Sequence, residues 1–165
     1  VRNFVVHRLV FKNREEKAAN MQARAERGAR DPIVLAWAQQ FEPLRASRSD
    51  LDCVRAVLRF VRDCIFYTHD PGTERLEAAS FGLLEGWGDC DQKSTLIVAL
   101  LLALGFRAEI DPVFRGAEGF PHVRARVWLA GRWYKLDPTI INSDVGEETF
   151  PRRAVMYRKI AWTWA

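Results

Sequence analysis

The chain has 165 residues, 48% of them apolar and 28% charged. That is long enough to bury a core without disulfide or metal staples, and the composition excludes a disordered segment, a collagen repeat or a coiled coil. The 25 basic residues against 21 acidic ones leave a formal charge of +4, spread along the chain; even the densest basic stretch, Arg24 to Arg30, carries Glu26. A surplus this mild tunes solubility and is not the footprint of a nucleic-acid-binding protein.

Three cysteines, Cys53, Cys64 and Cys90, make a poor disulfide framework, and no pair has the spacing of a structural zinc site. Cys53 and Cys64 stand 11 residues apart in a helical pattern and are expected as small buried hydrophobes on one face, a reading that favours a reducing compartment. No signal peptide is visible. The most apolar run, Leu96 to Leu104, is about half the length of a membrane span and reads as a core helix. The sequence begins at Val1 rather than Met, which leaves room for a parent protein or assembly joined through the N-terminal segment.

In chain order, Phe4 to Phe11 is apolar and β-branched, a short strand or a segment docked on the core. Asn13 to Arg27 consists of strong helix formers with a thin stripe of Ala18, Met21 and Ala25, and is expected as a solvated helix; the alternative is an arm packed on a partner. Asp31-Pro32 starts a helix, Asp as N-cap and Pro in the first turn, with Ile33, Trp37 and Phe41 on one face. A second helix begins near Ser49 and Asp50. It has an apolar stripe of Leu51, Val54, Val57, Leu58, Val61 and Ile65, with Arg55, Arg59 and Arg62 opposite.

Tyr67 to Gly72 is a turn cluster holding His69, which is expected to be exposed; His7 has no assignment. Glu74 to Gly86 reads as a loop with a helical turn. Asp89 to Leu104 is the central helix, closed by Gly105. Phe106 to Arg115 reads as a strand interrupted by Pro112, and Val123 to Leu129 with Trp133 to Leu136 as a hairpin turning at Ala130-Gly131. Ile160 to Trp164 alternates as a strand would. The fold class is therefore α+β in one domain spanning 1–165: an N-terminal extension over 1–30, a core over 31–139 and a C-terminal segment over 140–165.

Chemistry concentrates at Gly86-Trp-Gly-Asp-Cys-Asp-Gln-Lys-Ser-Thr95. Asp89 and Gln92 complete a capping-box pattern, which makes Cys90 the first residue of a buried helix. A thiolate there meets the positive end of the helix dipole and unpaired N–H groups, which lower a thiol pKa and can hold an oxyanion. A Cys in that position is also commonly structural. Asp89 and Asp91 would raise its pKa if they stood close, so the reading requires them to point away from the sulfur and requires an imidazole partner.

The hairpin offers one. A two-residue turn at Ala130-Gly131 pairs 127 with 134 and 125 with 136, so Asp137 becomes a diagonal neighbour of His122 on one face of the sheet. A slip of one residue would separate them. The competing readings are an exposed strand start for His122, whose face carries Arg124 and Arg126, and a turn-forming role for Asp137 before Pro138. Trp128 and Trp133 near the hairpin tip read as packing residues or as the lining of an acceptor groove.

Gly88-Asp-Cys90, the following Ser94/Thr95 and apolar helix, Gly105-Phe-Arg107, His122 on a strand and Gly131-Arg-Trp-Tyr-Lys-Leu-Asp-Pro-Thr139 together resemble the transglutaminase-like superfamily, from roughly Leu51 to Thr139. The resemblance implies a papain-like α+β core with Cys90 as nucleophile, His122 as general base and acid, and Asp137 as the carboxylate that orients it. It implies for Tyr67 or Trp87 an aromatic role near the oxyanion. The expected reaction is acyl transfer on amide bonds through a thioester, by hydrolysis, deamidation or transamidation, with a peptide or protein substrate, no cofactor and no metal. Neither nucleic acid nor membrane is an expected partner. Similarity to small bacterial and phage members suggests a cytoplasmic or phage-associated setting. The alternative is a catalytically silent module of the same fold that binds protein or peptide within an assembly.

Overall fold

A computed structural model describes residues 14–68, 76–113 and 122–149. The expected strands at Phe4 to Phe11 and Ile160 to Trp164, together with His7 and His69, lie outside the described residues. Among the described residues the elements run in the order α1 (Arg14–Gly28), α2 (Pro32–Gln39), α3 (Glu42–Ser47), α4 (Asp50–Cys64), β1 (Phe66–Tyr67), α5 (Phe81–Glu85), β2 (Trp87–Gly88), α6 (Cys90–Ala103), β3 (Ala108–Val113), β4 (His122–Leu129) and β5 (Arg132–Leu136).

Helix α6 is the axis of the fold. Every residue from Asp91 to Leu101 is buried, because α1, α2 and α4 pack around it and the sheet β3–β4–β5 closes the remaining side. Its start is set locally: Asp89 Oδ1 accepts from the N–H of Asp91 at 2.8 Å and of Gln92 at 3.2 Å, while Gln92 Oε1 accepts from Asp89 N–H at 2.8 Å. The capping box read from the sequence is thus fully formed. Gly88 is needed for it, since a Cβ there would stand 2.8 Å from Gln92 Cβ.

Helix α4 buries Val54, Val57, Leu58, Val61 and the following Ile65 as its stripe predicts, each contributing about 1.5–3 kcal/mol of hydrophobic burial. Leu51 stays partly exposed. Cys53 is buried, and burial pushes its thiol up to about 11. Cys64 is exposed, contrary to expectation, because the helix ends there and the chain leaves the core. In α2, capped by Asp31 Oδ1 on Ile33 N–H at 2.8 Å, the buried positions are Val34 and Ala38. Trp37 lies beside that face and stacks on Phe60 with ring centroids 4.8 Å apart.

Helix α1 corrects the reading of a solvated helix. Ala18, Met21 and Ala25 are essentially inaccessible, and the helix packs on both α6 and β3. Two alanines make a weak apolar signal in sequence, yet their small size lets α1 approach closely. Gln22 adds an accepting Oε1 for the Ile110 N–H of edge strand β3 at 2.9 Å.

Strand β3 runs through Pro112 rather than breaking there. Pro112 shares the outward edge with Ile110, so its missing N–H removes no bond to β4. The β4–β5 hairpin has the expected register, with Leu129 opposite Arg132, Val127 opposite Tyr134 and Ala125 opposite Leu136. Its turn places Ala130 and Gly131 at φ 47° and 81°, as a two-residue hairpin turn with two left-handed residues requires. One face of the sheet, carrying Ala108, Ile110, Val123, Ala125, Val127 and Leu136, is buried in the core. The other is polar, with Arg124 ion-paired to Asp111 and Arg126 to Glu109 across the strands. Among the described residues no helix is long and apolar enough to cross a membrane.

Candidate active site

The first residue of α6, the first of β4 and the residue after β5 are Cys90, His122 and Asp137, and α6 packs on β4. Val123 couples helix and strand. Its carbonyl accepts from Ser94 Oγ at 3.1 Å, and its backbone lowers the pKa of the Cys90 thiol. The thiol is therefore close to the backbone of the residue that follows His122.

His122 Nε2 lies 3.0 Å from Asp137 Oδ2, and the Asp137 side chain is 1% exposed. The diagonal relationship expected from the hairpin register is realised as a direct contact. Thr139 donates its N–H at 3.1 Å and its hydroxyl at 2.7 Å to the other oxygen, Oδ1. Thr149 donates its hydroxyl to Oδ2 at 2.9 Å, and Ser143 donates to the Asp137 carbonyl at 2.6 Å. Burial pushes this carboxyl up, but the hydrogen bonds and charge of His122 and the two bonds from Thr139 outweigh it, and the net shift is downward. Asp137 is held ionised by its surroundings.

Cys90 differs from the expectation in one respect. Its Sγ donates to Asp91 Oδ1 at 3.6 Å, so Asp91 does not point away from the sulfur. Burial, then Asp91, then Asp89 push the thiol above its ordinary range, while the Val123 backbone and Lys17 oppose them. Dipole and backbone N–H groups are present at this helix end, but two adjacent carboxylates and a dry setting outweigh them. The Asp89 cap also takes the N–H groups of Asp91 and Gln92, which narrows the set of helix-end donors available to an oxyanion.

Tyr67 lies on β1, which pairs in parallel with β2 so that Tyr67 stands opposite Gly88. It is partly exposed; burial first, and then the charges of Cys90, Asp89, Asp91 and Asp137, raise its phenol. The fold thus brings Tyr67 into the field of the site. Trp87 is engaged edge-on with Phe81, ring centroids 4.9 Å apart. Lys93, one turn beyond Cys90, is buried and donates to the carbonyls of Arg62 at 3.1 Å and Ile65 at 2.8 Å, closing the end of α4. Burial lowers its pKa to about 8.

For a metal ion, the described residues offer Asp89, Cys90 and Asp91, whose ligand atoms lie within 4.8 Å of one another. Two of the three are otherwise engaged: Asp89 Oδ1 caps the helix and Asp91 Oδ2 pairs with Lys17 at 2.6 Å. Thr139, Thr149 and Lys17 are the site neighbours that sequence reasoning missed. Thr139 had a signal, because Asp-Pro-Thr is a sequence in which a carboxylate caps the N–H two residues on. Lys17 and Thr149 had none.

Comparison with known proteins bears on the fold. Residues 36–138 match the family model described as the transglutaminase-like superfamily. Among solved structures, a candidate protease from Parabacteroides distasonis superposes with a TM-score of 0.59 at 14% identity, over 81% of this chain and 27% of that one. A candidate cysteine protease from Cytophaga hutchinsonii gives 0.52 at 18% identity, over 62% and 36%. The periplasmic domain of TgpA from Pseudomonas aeruginosa, bound to ethylmercury, gives 0.52 at 20% identity, over 65% and 43%. The chain spans less than half the length of each of these three structures, and at such identities the likeness is one of fold. No curated protein matches the sequence. A Cys-bearing helix packed on an antiparallel sheet, and a family match over well over half of the sequence, lead to one conclusion: the chain belongs to the transglutaminase-like superfamily.

Proposed function

We propose that the protein performs cysteine-dependent acyl transfer on amide bonds of peptides or proteins, through a thioester on Cys90. The observation that carries this reading is the His122–Asp137 contact at 3.0 Å, formed at the very start of the strand whose next residue, Val123, accepts from Ser94 on the helix that begins at Cys90. Asp137 takes Nε2, so Nδ1 is the ring nitrogen that serves the sulfur. As Cys90 attacks the carbonyl carbon, its proton passes to His122. The C–N bond then breaks as His122 returns that proton to the leaving amine. Water entering the thioester completes hydrolysis or deamidation; an amine completes transamidation. The Cys90 N–H at the helix end and the Tyr67 hydroxyl are the donors assigned to the oxyanion.

Burial and Asp91 keep the resting thiol neutral. Proton transfer to His122 therefore accompanies attack rather than preceding it, and activity rises toward alkaline pH. α1 and the segment through Thr149 belong to one folding unit with the family-matched stretch, a reading supported by the burial of α1 and the bond from Thr149 to Asp137.

The same Asp91 contact favours a second reading, a silent module that binds peptides without turning them over. The two separate in one experiment. Glutamine-containing peptides are incubated with the protein, with and without a primary amine, and followed for ammonia release and amine incorporation. Release that disappears in Cys90→Ser supports acyl transfer. Peptide binding with no release in the wild type supports the silent module.

A further inference from the structure

Two parts of the chain outside the family-matched residues reach this site, and one of them touches the group that most affects the thiol. Lys17 Nζ, on α1, lies 2.6 Å from Asp91 Oδ2, with side-chain exposures of 15% and 6%. The other oxygen of the same carboxylate accepts the Cys90 thiol at 3.6 Å. One nearly buried carboxylate is thus shared between an ammonium group from α1 and the sulfur.

The pair is one of several contacts that dock α1. Ala18, Met21 and Ala25 are fully buried, and Gln22 binds the Ile110 N–H on β3. Among the described residues, the groups whose charge acts on the Cys90 thiol are Asp89 and Asp91 on α6 and Lys17 on α1; the Tyr67 phenol on β1 feels the charge of Cys90, and His122 pairs with Asp137 at the start of β4. Of the two acidic neighbours, Asp89 is committed to capping α6. Asp91 is the one whose countercharge can vary while the helix start stays intact.

We propose that Lys17 is a positioning residue of this site: by holding Asp91 Oδ2 and balancing that carboxylate, it governs how readily Cys90 releases its proton. The inference rests on Cys90 being the nucleophile. It gives α1, which the family match does not reach, a part in the chemistry. An ammonium in contact with a nearly buried carboxylate offsets part of the repulsion that a thiolate beside it would meet. Lys17 already acts in that direction on the thiol, against burial, Asp91 and Asp89.

The test is the pH dependence of iodoacetamide labelling at Cys90, followed by peptide mass spectrometry in the full chain, with Cys53 and Cys64 as internal references. Lys17→Met is expected to raise the labelling midpoint by about one pH unit. Lys17→Arg is expected to retain the wild-type midpoint, Asp91→Asn to lower it, and Lys17→Met to shift it by less in the Asp91→Asn background. A tether without an electrostatic role predicts no midpoint change on replacing Lys17, in either background. An unshifted midpoint in Lys17→Met, or the same shift in both backgrounds, overturns the proposal. Should Lys17→Met not fold, an unshifted midpoint in Asp91→Asn overturns it equally. Labelling needs no substrate, so absent turnover counts against acyl transfer alone, and an unshifted midpoint with intact turnover counts against Lys17 alone.

Discussion

Thr149 and His122 meet on a single oxygen: Asp137 Oδ2 accepts the Thr149 hydroxyl at 2.9 Å and stands 3.0 Å from His122 Nε2. A residue twelve positions past the carboxylate thus shares the lone pairs that orient the imidazole. Removing the Thr149 hydroxyl takes away one bond that favours the ionised form of Asp137. The Asp137 carboxyl is held below its ordinary value, so its stabilisation is present above the unfolded-state pKa and is lost as pH falls through the folded one. Thr149→Val raises the folded-state value toward the unfolded one. Its urea midpoint is expected to lie below that of the wild type above about pH 5 and to lose less as pH falls, so that the two profiles converge in acid. A separation that stays the same at every pH would show that this bond has no part in holding Asp137 ionised.

Asp137→Asn keeps the shape of the side chain and removes the charge that favours one ring tautomer. On the proposed mechanism, kcat for ester or amide turnover falls by about 10²–10⁴-fold with little change in KM. Steady-state kinetics on a chromogenic ester measures this. A change confined to KM would place Asp137 in substrate binding instead.

Arg124 is fully buried and pairs with Asp111 and Glu148, each at 2.7 Å. Glu148 also receives Lys135, so one carboxylate from the segment after β5 pins that segment over the polar face of the sheet. Arg124→Leu leaves Asp111 without its cross-strand cation and is expected to cost about 3–5 kcal/mol in urea denaturation. Adding Asp111→Leu recovers part of that loss. An additive penalty in the double variant would show that the two residues do not act as a pair.

Ala130 occupies a left-handed position at φ 47° in the turn that sets the β4–β5 register. Asn and Gly adopt that conformation more readily than Ala. Ala130→Asn or Ala130→Gly is expected to stabilise the fold by about 0.5–1 kcal/mol, read from thermal or urea midpoints. Destabilisation by both would mean that the Ala130 methyl contributes packing that outweighs the turn strain.

The central helix was legible from end to end, because Asp89, Gln92 and Gly105 mark its termini with residues whose chemistry allows few other readings. The hairpin was equally plain, since a two-residue turn fixes a register and the register fixes which side chains share a face. Helix α1 was misread because its buried stripe rests on two alanines and one methionine, which bury little area and leave the outline of a solvated helix. The stripe of α4 held apart from Leu51, and Cys64 left the core because the helix stops there. The β1–β2 pair spans two residues each and carries no periodic signal.

The site was legible where it is local and hidden where it is not. Cys90, His122 and Asp137 each sit at the end of an element. Lys17 arrives through a contact across tens of residues and Thr149 from a segment beyond the last strand. The proximity of Asp91 to the sulfur depends on a rotamer that an ion pair with α1 helps to hold, which sequence spacing does not encode.

The central claim is that Cys90 is acylated with the help of His122. Peptide mapping after brief reaction with a p-nitrophenyl ester tests it most directly. The account predicts an acyl adduct on the peptide containing Cys90, absent in Cys90→Ser and formed far more slowly in His122→Ala. Acylation of Cys53 or Cys64 alone, or a Cys90 adduct that forms at the same rate in His122→Ala, would contradict it.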